Sequence, residues 1–229
     1  IPQAVVPITE CTDFMYIPHK SPSCMSEGNY GGEMCKVCGK VVVQPTIKPT
    51  QENLLNNGVC SYKIVYDQNA EMDELSAVGE LQRLFKEATG IALESFTDEQ
   101  VASVSDNDTY IFLGDTLVTK NKELVPDREE YGMSGYVIKT VGHSIFISGA
   151  TATGTLYGVY RFLGEILNYD YFYKDVYCID KGVANIQLMD YDISVIPAVE
   201  YNFVGYGEVS RSDQKRYSMT APAVTSVMG

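Results

Sequence analysis

Six cysteines carry the most specific chemistry in this sequence, and four of them stand in its first 38 residues. The run consists of Cys11, Cys24, Cys35 and Cys38, and Gly39 follows directly. A Cys-x-x-Cys pair followed by glycine is typical of a zinc knuckle, because glycine permits the positive φ that points backbone N–H groups at the thiolates. Four thiolates suit a closed tetrahedral site. We therefore expect a structural zinc ion with these four cysteines as its ligands.

Two alternatives to this ligand set stay open on the residues alone. The four cysteines could form two disulfides, which is reasonable outside the cell. A Cys35–Cys38 bridge would close a very small loop, however, and such bridges are usually redox-active. His19 is a rival fourth ligand, but a lone histidine in such a loop is more often solvated, so Cys11 is preferred. In every case a stretch of about 40 residues needs a metal or disulfides, because it cannot build a sufficient core.

The uneven distribution of cysteines indicates a small module followed by a larger domain. We place a zinc-ribbon-like β module at residues 1–43. A linker follows at 44–57, where two prolines precede turn-forming residues. The larger domain is predicted over 58–192, and residues 193–229 are left as a tail or as the start of a further domain.

Hydrophobic periodicity divides the larger domain into strands and helices. Apolar residues recur every three to four positions in two segments, which predicts helices over 69–89 and 151–168. Short apolar or β-branched runs predict strands over 61–67, 91–95, 109–114, 135–140, 144–148 and 172–179, with a further extended piece at 185–192. This order predicts an α+β fold in which two helices pack on one face of a mixed sheet. Cys60 and Cys178 stand at the two ends of this domain. A disulfide between them and two buried thiols both remain open.

Charge and hydropathy exclude several classes of partner. The sequence has 17 basic and 30 acidic residues, a net charge of −13, which repels nucleic-acid phosphates and anionic membrane surfaces. No apolar run reaches the length of about 18 residues that a membrane-spanning helix needs. The chain starts at Ile1 with neither a basic nor an apolar leader, so we expect a removed signal peptide or a piece of a longer chain. The few basic residues and the six cysteines favour an exported protein.

Three further patterns admit a chemical and a structural interpretation. Gly149-x-x-x-x-Gly154 is superficially similar to a phosphate loop but lacks its lysine, so we interpret it as close helix–strand packing with Thr151 or Thr153 as the N-cap. Two groups of acids could supply a carboxylate pair, but their simpler interpretation is turns and surface charge: Asp127, Glu129, Glu130, Asp170, Asp175 and Asp180. A tyrosine run could stack on sugars, but an interface with a neighbouring domain is preferred: Tyr169, Tyr171, Tyr173 and Tyr177.

Two parts of the sequence resemble known families. Residues 10–49, with their pieces at 21–24, 27–28 and 35–41, resemble a short cysteine-rich repeat of secreted proteins from gut Clostridia-like bacteria. Residues 147–163 resemble the helix of the non-catalytic domain that precedes the barrel in many glycoside hydrolases, such as bacterial β-hexosaminidases and α-glucuronidases. Upstream pieces at 81–85, 89–91 and 111–114 agree in order, and the resemblance covers about 60–182. The first resemblance implies a secreted or cell-surface setting, and the second implies a bacterial carbohydrate-active enzyme.

The second resemblance also implies what this chain does not contain. Residues 196–209 look like the entry strand of a (β/α)8 barrel, but a barrel needs about 250 residues, so the catalytic carboxylates of the family have no positions here. We expect a non-catalytic accessory region that supports a barrel and reaches glycan through the parent enzyme. The alternative is a stand-alone glycan-binding or adhesion module. A third class, a redox protein using Cys35 and Cys38, ranks last.

Overall fold

The computed structural model describes residues 13–18, 28–29, 31–36, 41–43, 47–48, 53–101, 108–173, 176–199 and 210–219. The chain forms two compact units, Ile1–Glu52 and Asn53–Gly229. The described part of the first unit is built from short antiparallel strands. A three-stranded sheet has the order β1-β3-β4, and β2 pairs with β5. The bounds of these strands are β1 Phe14–Ile17, β2 Gly28–Asn29, β3 Gly32–Cys35, β4 Val41–Val43 and β5 Ile47–Lys48.

The second unit is organised around a six-stranded mixed sheet of order β15-β10-β11-β9-β7-β8. Strands β8, β7, β9 and β11 run parallel, and β10 pairs antiparallel with both β11 and β15. The mixed sheet and the two long helices of this unit, α1 and α4, confirm the α+β class. The strand bounds are β7 Lys63–Tyr66, β8 Ser95–Thr97, β9 Tyr110–Leu113, β10 Tyr136–Val141, β11 Ser144–Gly149 and β15 Asp192–Val195, and the helices are α1 Met72–Thr89 and α4 Ala152–Leu167.

Alternation along the central strands separates two layers of core. Ile64, Ile111 and Ile147 are fully buried in the cluster that includes the apolar faces of α1 and α4. The residues next to them in sequence point the other way, because side chains alternate along a strand. Val65, Phe112 and Phe146 accordingly form a smaller cluster beneath the opposite face. Both long helices therefore cover the same face of the sheet, as the sequence predicts.

Both long helices begin and end at residues that satisfy their terminal backbone groups. Helix α1 starts with a reciprocal capping box between Glu71 and Glu74, and Gly90 ends it with a φ of 80°. Thr151 is the N-cap of α4, where its hydroxyl accepts a hydrogen bond from the Gly154 N–H, and Asn168 is the C-cap, in the left-handed conformation.

The structure differs from the predicted strands in three places. The predicted strand over 91–95 is displaced to β8, because residues 91–94, which follow the left-handed turn at Gly90, connect the helix to the sheet and the strand begins only at Ser95. The predicted strand over 172–179 is a separate two-stranded ribbon of β12, Asp170–Tyr173, and β13, Val176–Cys178. The sixth strand of the sheet is instead β15, which crosses the predicted domain boundary at residue 192.

The segment predicted as a linker, 44–57, contains two strands. Strand β5 lies in it, and so does β6, Asn53–Leu55, which pairs with β14, Ile186–Gln187. Leu54 and Leu55 are both buried in the larger core, although the turn residues beside them suggest a loop. The remaining helices are short, and they are α2 Leu117–Asn121, α3 Arg128–Tyr131, α5 Arg211–Arg216 and a 3₁₀ turn at Asp98–Gln100.

Candidate functional site

The predicted zinc ligands fall mostly outside the described residues. Cys35 ends β3, opposite Phe14, and its side chain is buried with 2% exposure. The other three predicted ligands lie outside the described residues, and they are Cys11, Cys24 and Cys38. Within the described residues, no three His, Cys, Asp or Glu side chains are grouped so that they could hold a metal ion. A zinc-ribbon module is therefore not shown, and the zinc site remains a prediction.

The two cysteines of the second unit are separate thiols. The Cys178 thiol is exposed and donates a hydrogen bond to the Asn168 carbonyl oxygen at 3.5 Å. Cys60 is half-buried, and burial raises the pKa of its thiol. The sequence leaves open a Cys60–Cys178 disulfide and two buried thiols. The structure has two thiols, but the thiol of Cys178 is exposed.

The acids of these two groups that the structure describes are turn and surface residues, as predicted. Asp127 is the N-cap of α3 and accepts hydrogen bonds from the Glu129 and Glu130 N–H groups at 2.8 and 3.3 Å. Asp180 accepts a hydrogen bond from the Asn168 side-chain amide at 2.6 Å. Asp170 pairs with the strand residue Cys178 across the β12–β13 ribbon, and Asp175 lies outside the described residues.

The glycine-rich loop before α4 is a close packing contact. A Cβ added at Gly154 would lie 2.4 Å from the Gly135 carbonyl oxygen, and one at Gly149 would lie 2.1 Å from the Thr155 nitrogen. Both contacts are with backbone, so the strand and the helix approach at a distance that only glycine allows. The interpretation as packing with a Thr151 N-cap is therefore confirmed.

An open cleft of about 540 Å³ lies at the carboxyl ends of the parallel strands. Open α/β sheets often bind ligands at this edge. Two of its carboxylates are engaged in the local structure, because Asp67 accepts a hydrogen bond from Asn69 N–H at 2.6 Å and Glu74 accepts one from Glu71 N–H at 3.0 Å. Burial raises the pKa of both Glu74 and Asp115. The sequence signal for this cleft is that Asp67 directly follows β7, although none of the sites predicted from sequence includes Asp67.

A second cleft, of about 350 Å³, is lined mainly by tyrosines, and we call it the tyrosine cleft. Tyr169 stacks on Tyr160 with ring centroids 5.9 Å apart and lies 5.7 Å from Tyr177. Burial raises the pKa of both the Tyr160 and Tyr169 hydroxyls. The Tyr169 hydroxyl is buried and has no hydrogen-bond partner among the residues that the structure describes. The lining consists of Tyr136, Tyr157, Tyr160, Arg161, Tyr169, Asp170, Tyr171, Arg216, Tyr217 and Ser218.

One wall of the tyrosine cleft is formed by residues 210–219, which we call the clasp. Ser210 caps α5 and accepts a hydrogen bond from Asp213 N–H at 3.1 Å. The Tyr171 hydroxyl donates to Asp213 Oδ1 at 2.5 Å, and the Tyr217 ring meets the Tyr171 ring edge-on at 5.0 Å. Hydrogen bonds from Ser210 and then Tyr171 hold the pKa of Asp213 below its usual range. Tyr171 therefore packs against a later part of the same unit, and the interface of the tyrosine run with a neighbouring domain stays a prediction.

Ion pairs connect the clasp to α1. Arg216 Nη2 lies 3.3 Å from Glu80 Oε1, and Lys215 Nζ forms an ion pair with Asp73. The Thr153 hydroxyl, at the start of α4, donates to the same Asp73 carboxylate at 2.6 Å. Glu80 also pairs with Arg83 on α1 at 2.7 Å, and its second partner, Arg216, could not be inferred from sequence because it is 136 residues away.

Comparison with known families gives one match at the level of sequence. Residues 52–162 match the family model for the N-terminus of glycosyl hydrolase family 67. The match supports a glycoside hydrolase N-terminal region. It starts next to β6 and ends inside α4, so it includes five of the six strands of the main sheet and all of α1. No curated protein matches the chain. None of the described helices is both long enough and apolar enough to cross a membrane.

Several solved structures of glycoside hydrolases align with this chain, at low sequence identity and low TM-score. A family 20 β-N-acetylhexosaminidase from Streptomyces coelicolor A3(2) aligns at 17% identity over 68% of this chain and 26% of that chain, with a TM-score of 0.41. A mutant β-hexosaminidase of Streptomyces plicatus aligns at 14% identity over 66% and 24%, with a TM-score of 0.40. A family 115 4-O-methyl-α-glucuronidase aligns at 10% identity over 48% and 14%, with a TM-score of 0.34. The chain thus spans about a quarter or less of these structures.

Proposed function

We propose that this chain is the non-catalytic N-terminal accessory region of a secreted bacterial glycoside hydrolase, and that it supports a barrel catalytic domain. The observation that carries the proposal is the family-model match over residues 52–162, which includes the central strands and the α1–α4 layer. The close contacts of Gly149 and Gly154 support the proposal further. They lie in residues 147–163, which carry the family resemblance, and they pack the start of α4 against neighbouring backbone.

The substrate of the parent enzyme would be a polymer that contains hexosamine or uronic acid. This part of the proposal comes from the sequence resemblance to accessory domains of β-hexosaminidases and α-glucuronidases. Glycan would then be reached through the parent enzyme, and the partner of the accessory region would be the barrel of the same chain.

The first unit would be a zinc-stabilised module in an extracytoplasmic protein. Four thiolates are a suitable donor set for a structural zinc ion, and the one ligand that the structure describes, Cys35, is buried at the end of a strand. A buried thiol in so small a unit is compatible with a closed site. When bound, the ion would supply folding free energy rather than chemistry.

Assays for turnover test the accessory role directly. The purified 229-residue chain is incubated with aryl glycosides of N-acetylglucosamine and glucuronic acid and with mucin and xylan oligosaccharides. We expect no turnover above buffer. Hydrolysis that persists after repeated purification would refute the non-catalytic role. A parent gene product that hydrolyses one of these substrates would support it.

A glycan-binding module is the second candidate, and the tyrosine cleft is the observation that favours it. Aromatic faces together with Tyr hydroxyls and Arg161 offer the apolar surface and the polar groups of a ligand site. A glycan array probed with this chain separates the two candidates. Saturable binding that Tyr160→Ala weakens would favour the module, and no binding would favour the supporting role.

A further inference from the structure

We propose that the tyrosine cleft binds an uncharged pyranose ring, and that the Tyr169 hydroxyl makes a hydrogen bond to the sugar. The inference rests on the second candidate function for glycan as the kind of ligand, and it adds the class of sugar, which is neutral rather than acidic. All the residues that carry it belong to the second unit.

The tyrosine cleft has the size and the surface of a small-ligand site. Its volume of about 350 Å³ lies within the range of about 300–1,000 Å³ that is usual for ligand pockets. Six of its ten lining residues are tyrosines, and each offers an apolar ring face with a polar hydroxyl at one edge. A pyranose has the same combination, because its C–H groups form apolar patches and its hydroxyls surround the ring. The lining therefore suits a sugar better than a purely apolar ligand.

The Tyr169 hydroxyl is the observation that points to a ligand. The residue is 7% exposed, and its hydroxyl has no hydrogen-bond partner within the described part of the chain. Its ring is held in place, because it stacks on Tyr160 at 5.9 Å and lies 5.7 Å from Tyr177. Buried hydroxyls usually have a partner, and one without a partner is destabilising. A sugar hydroxyl in the cleft would supply the partner that the described residues do not.

Two neighbouring tyrosine hydroxyls are already used within the unit. The Tyr157 hydroxyl donates to the Met219 carbonyl oxygen at 2.5 Å. The Tyr171 hydroxyl donates to Asp213 Oδ1 at 2.5 Å. These bonds fix two walls of the cleft before any ligand binds, which lowers the entropy that binding would lose. They also make Tyr169 the better residue to test, because removing its hydroxyl breaks no bond of the described structure.

The charges of the cleft disfavour an acidic sugar, and Arg216 shows this most directly. Its guanidinium lies 3.3 Å from Glu80 and 3.3 Å from Asp213, so one base already faces two carboxylates. A sugar carboxylate that bound here would be the third acid around this one base. Like charges so close together repel, and the repulsion is stronger where the groups are partly buried.

The other guanidinium groups near the cleft are paired as well. Arg161 lies 2.6 Å from Glu165. Arg83, whose charge reaches the cleft tyrosines, lies 2.7 Å from Glu80. Asp170 adds a further carboxylate to the lining. An acidic sugar would have to compete with these pairs, whereas an uncharged ring makes its hydrogen bonds and ring contacts without disturbing them.

Binding of a matched pair of sugars to the 229-residue chain tests the proposal. Methyl β-D-glucopyranoside and methyl β-D-glucuronopyranoside differ only at C6, which carries a hydroxymethyl group in the first and a carboxylate in the second. The methyl glycoside of N-acetylglucosamine is a second neutral probe. Isothermal titration calorimetry and saturation-transfer NMR measure the three affinities. We expect saturable binding of a neutral glycoside that added salt does not weaken, and roughly tenfold weaker binding of the glucuronide.

Tyr169→Phe tests the role of the hydroxyl, and Tyr191→Phe is the matched control. Both tyrosines are 7% exposed, but Tyr191 does not line the cleft. We expect Tyr169→Phe to weaken binding of the neutral glycoside roughly threefold to tenfold, as for loss of one hydrogen bond. Its Tm without sugar should be unchanged or higher, because the lost hydroxyl has no partner in the described structure. Tyr191→Phe should leave the affinity unchanged. A purely structural role of Tyr169 predicts the opposite result, a lower Tm with unchanged affinity.

Each contrary result overturns a stated part of the proposal. Absence of saturable binding of both neutral glycosides with a Kd below about 10 mM would overturn the site. Equal or tighter binding of the glucuronide would overturn the neutral class, and unchanged affinity in Tyr169→Phe would overturn the role of the hydroxyl. None of these results bears on the accessory role. Turnover by this chain would overturn that role and leave the binding result standing.

Discussion

The sharpest test of the structure compares the stabilities of two glycine-to-alanine variants, Gly154→Ala and Gly79→Ala. Both residues lie in long helices, Gly154 in the first turn of α4 and Gly79 in the middle of α1. A Cβ at Gly154 would be 2.4 Å from the Gly135 carbonyl oxygen, whereas nothing lies within 4 Å of a Cβ at Gly79. Helix propensity favours alanine in both cases, so only the tertiary contact can separate the two variants.

The two substitutions should change the free energy of unfolding in opposite directions. To reach even 3.0 Å, the Gly154 methyl and the carbonyl must move apart by about 0.6 Å, and the carbonyl accepts a hydrogen bond from Ala150 N–H at 3.1 Å. Overpacking of this kind costs about 1–3 kcal/mol. At Gly79, alanine removes the conformational entropy cost of glycine and should stabilise by about 0.5–1 kcal/mol.

Urea denaturation followed by circular dichroism measures both changes in free energy, and thermal denaturation gives the corresponding shifts in Tm. At roughly 2–4 °C per kcal/mol for a unit of this size, Gly154→Ala should lower Tm by about 5 °C, and Gly79→Ala should raise it by about 2 °C. Equal stabilisation by both variants would refute the contact between the start of α4 and the turn before β10. It would also reopen the interpretation of this loop as a ligand site.

Further predictions concern the small core, the clasp and the first unit. Phe112→Ala removes a ring that stacks on Phe146 at 4.7 Å, and it should destabilise the second unit by about 3–5 kcal/mol in urea denaturation, whereas Phe112→Leu should cost clearly less. Because hydrogen bonds from Ser210 and Tyr171 lower the folded pKa of Asp213, its contribution is present above the unfolded value of about 3.9 and is lost as pH falls through the folded pKa. Amide hydrogen exchange in the clasp, corrected for its intrinsic pH dependence, should accelerate below about pH 4 in the parent chain and lose this dependence in Asp213→Asn. Native mass spectrometry should find about one zinc ion per chain that a chelator removes, and a metal-free chain lighter by two pairs of hydrogens, the loss expected for two disulfides among the four predicted ligands, would refute the zinc site.

The sequence determined the elements whose signals are local. The three-to-four spacing of Leu81, Leu84 and Phe85 specifies one buried face of α1, and Gly90 ends that helix because glycine readily adopts positive φ. The hairpin of β10 and β11 follows from alternation and a glycine turn. The resemblance to glycoside hydrolase N-terminal regions was also present in the sequence, because it is carried by packing residues that stand close together.

The tertiary structure alone decided which distant segments meet. Strand β15 joins the sheet through backbone hydrogen bonds with β10, and backbone pairing leaves little trace in residue type. Leu54 and Leu55 are core residues because β14 pairs beside them, more than 130 residues later in the chain. The same holds for the clasp, where Arg216 meets Glu80 across 136 residues. A charged residue has no periodic signal that names its partner, so only the folded chain shows that this acid and this base form one contact.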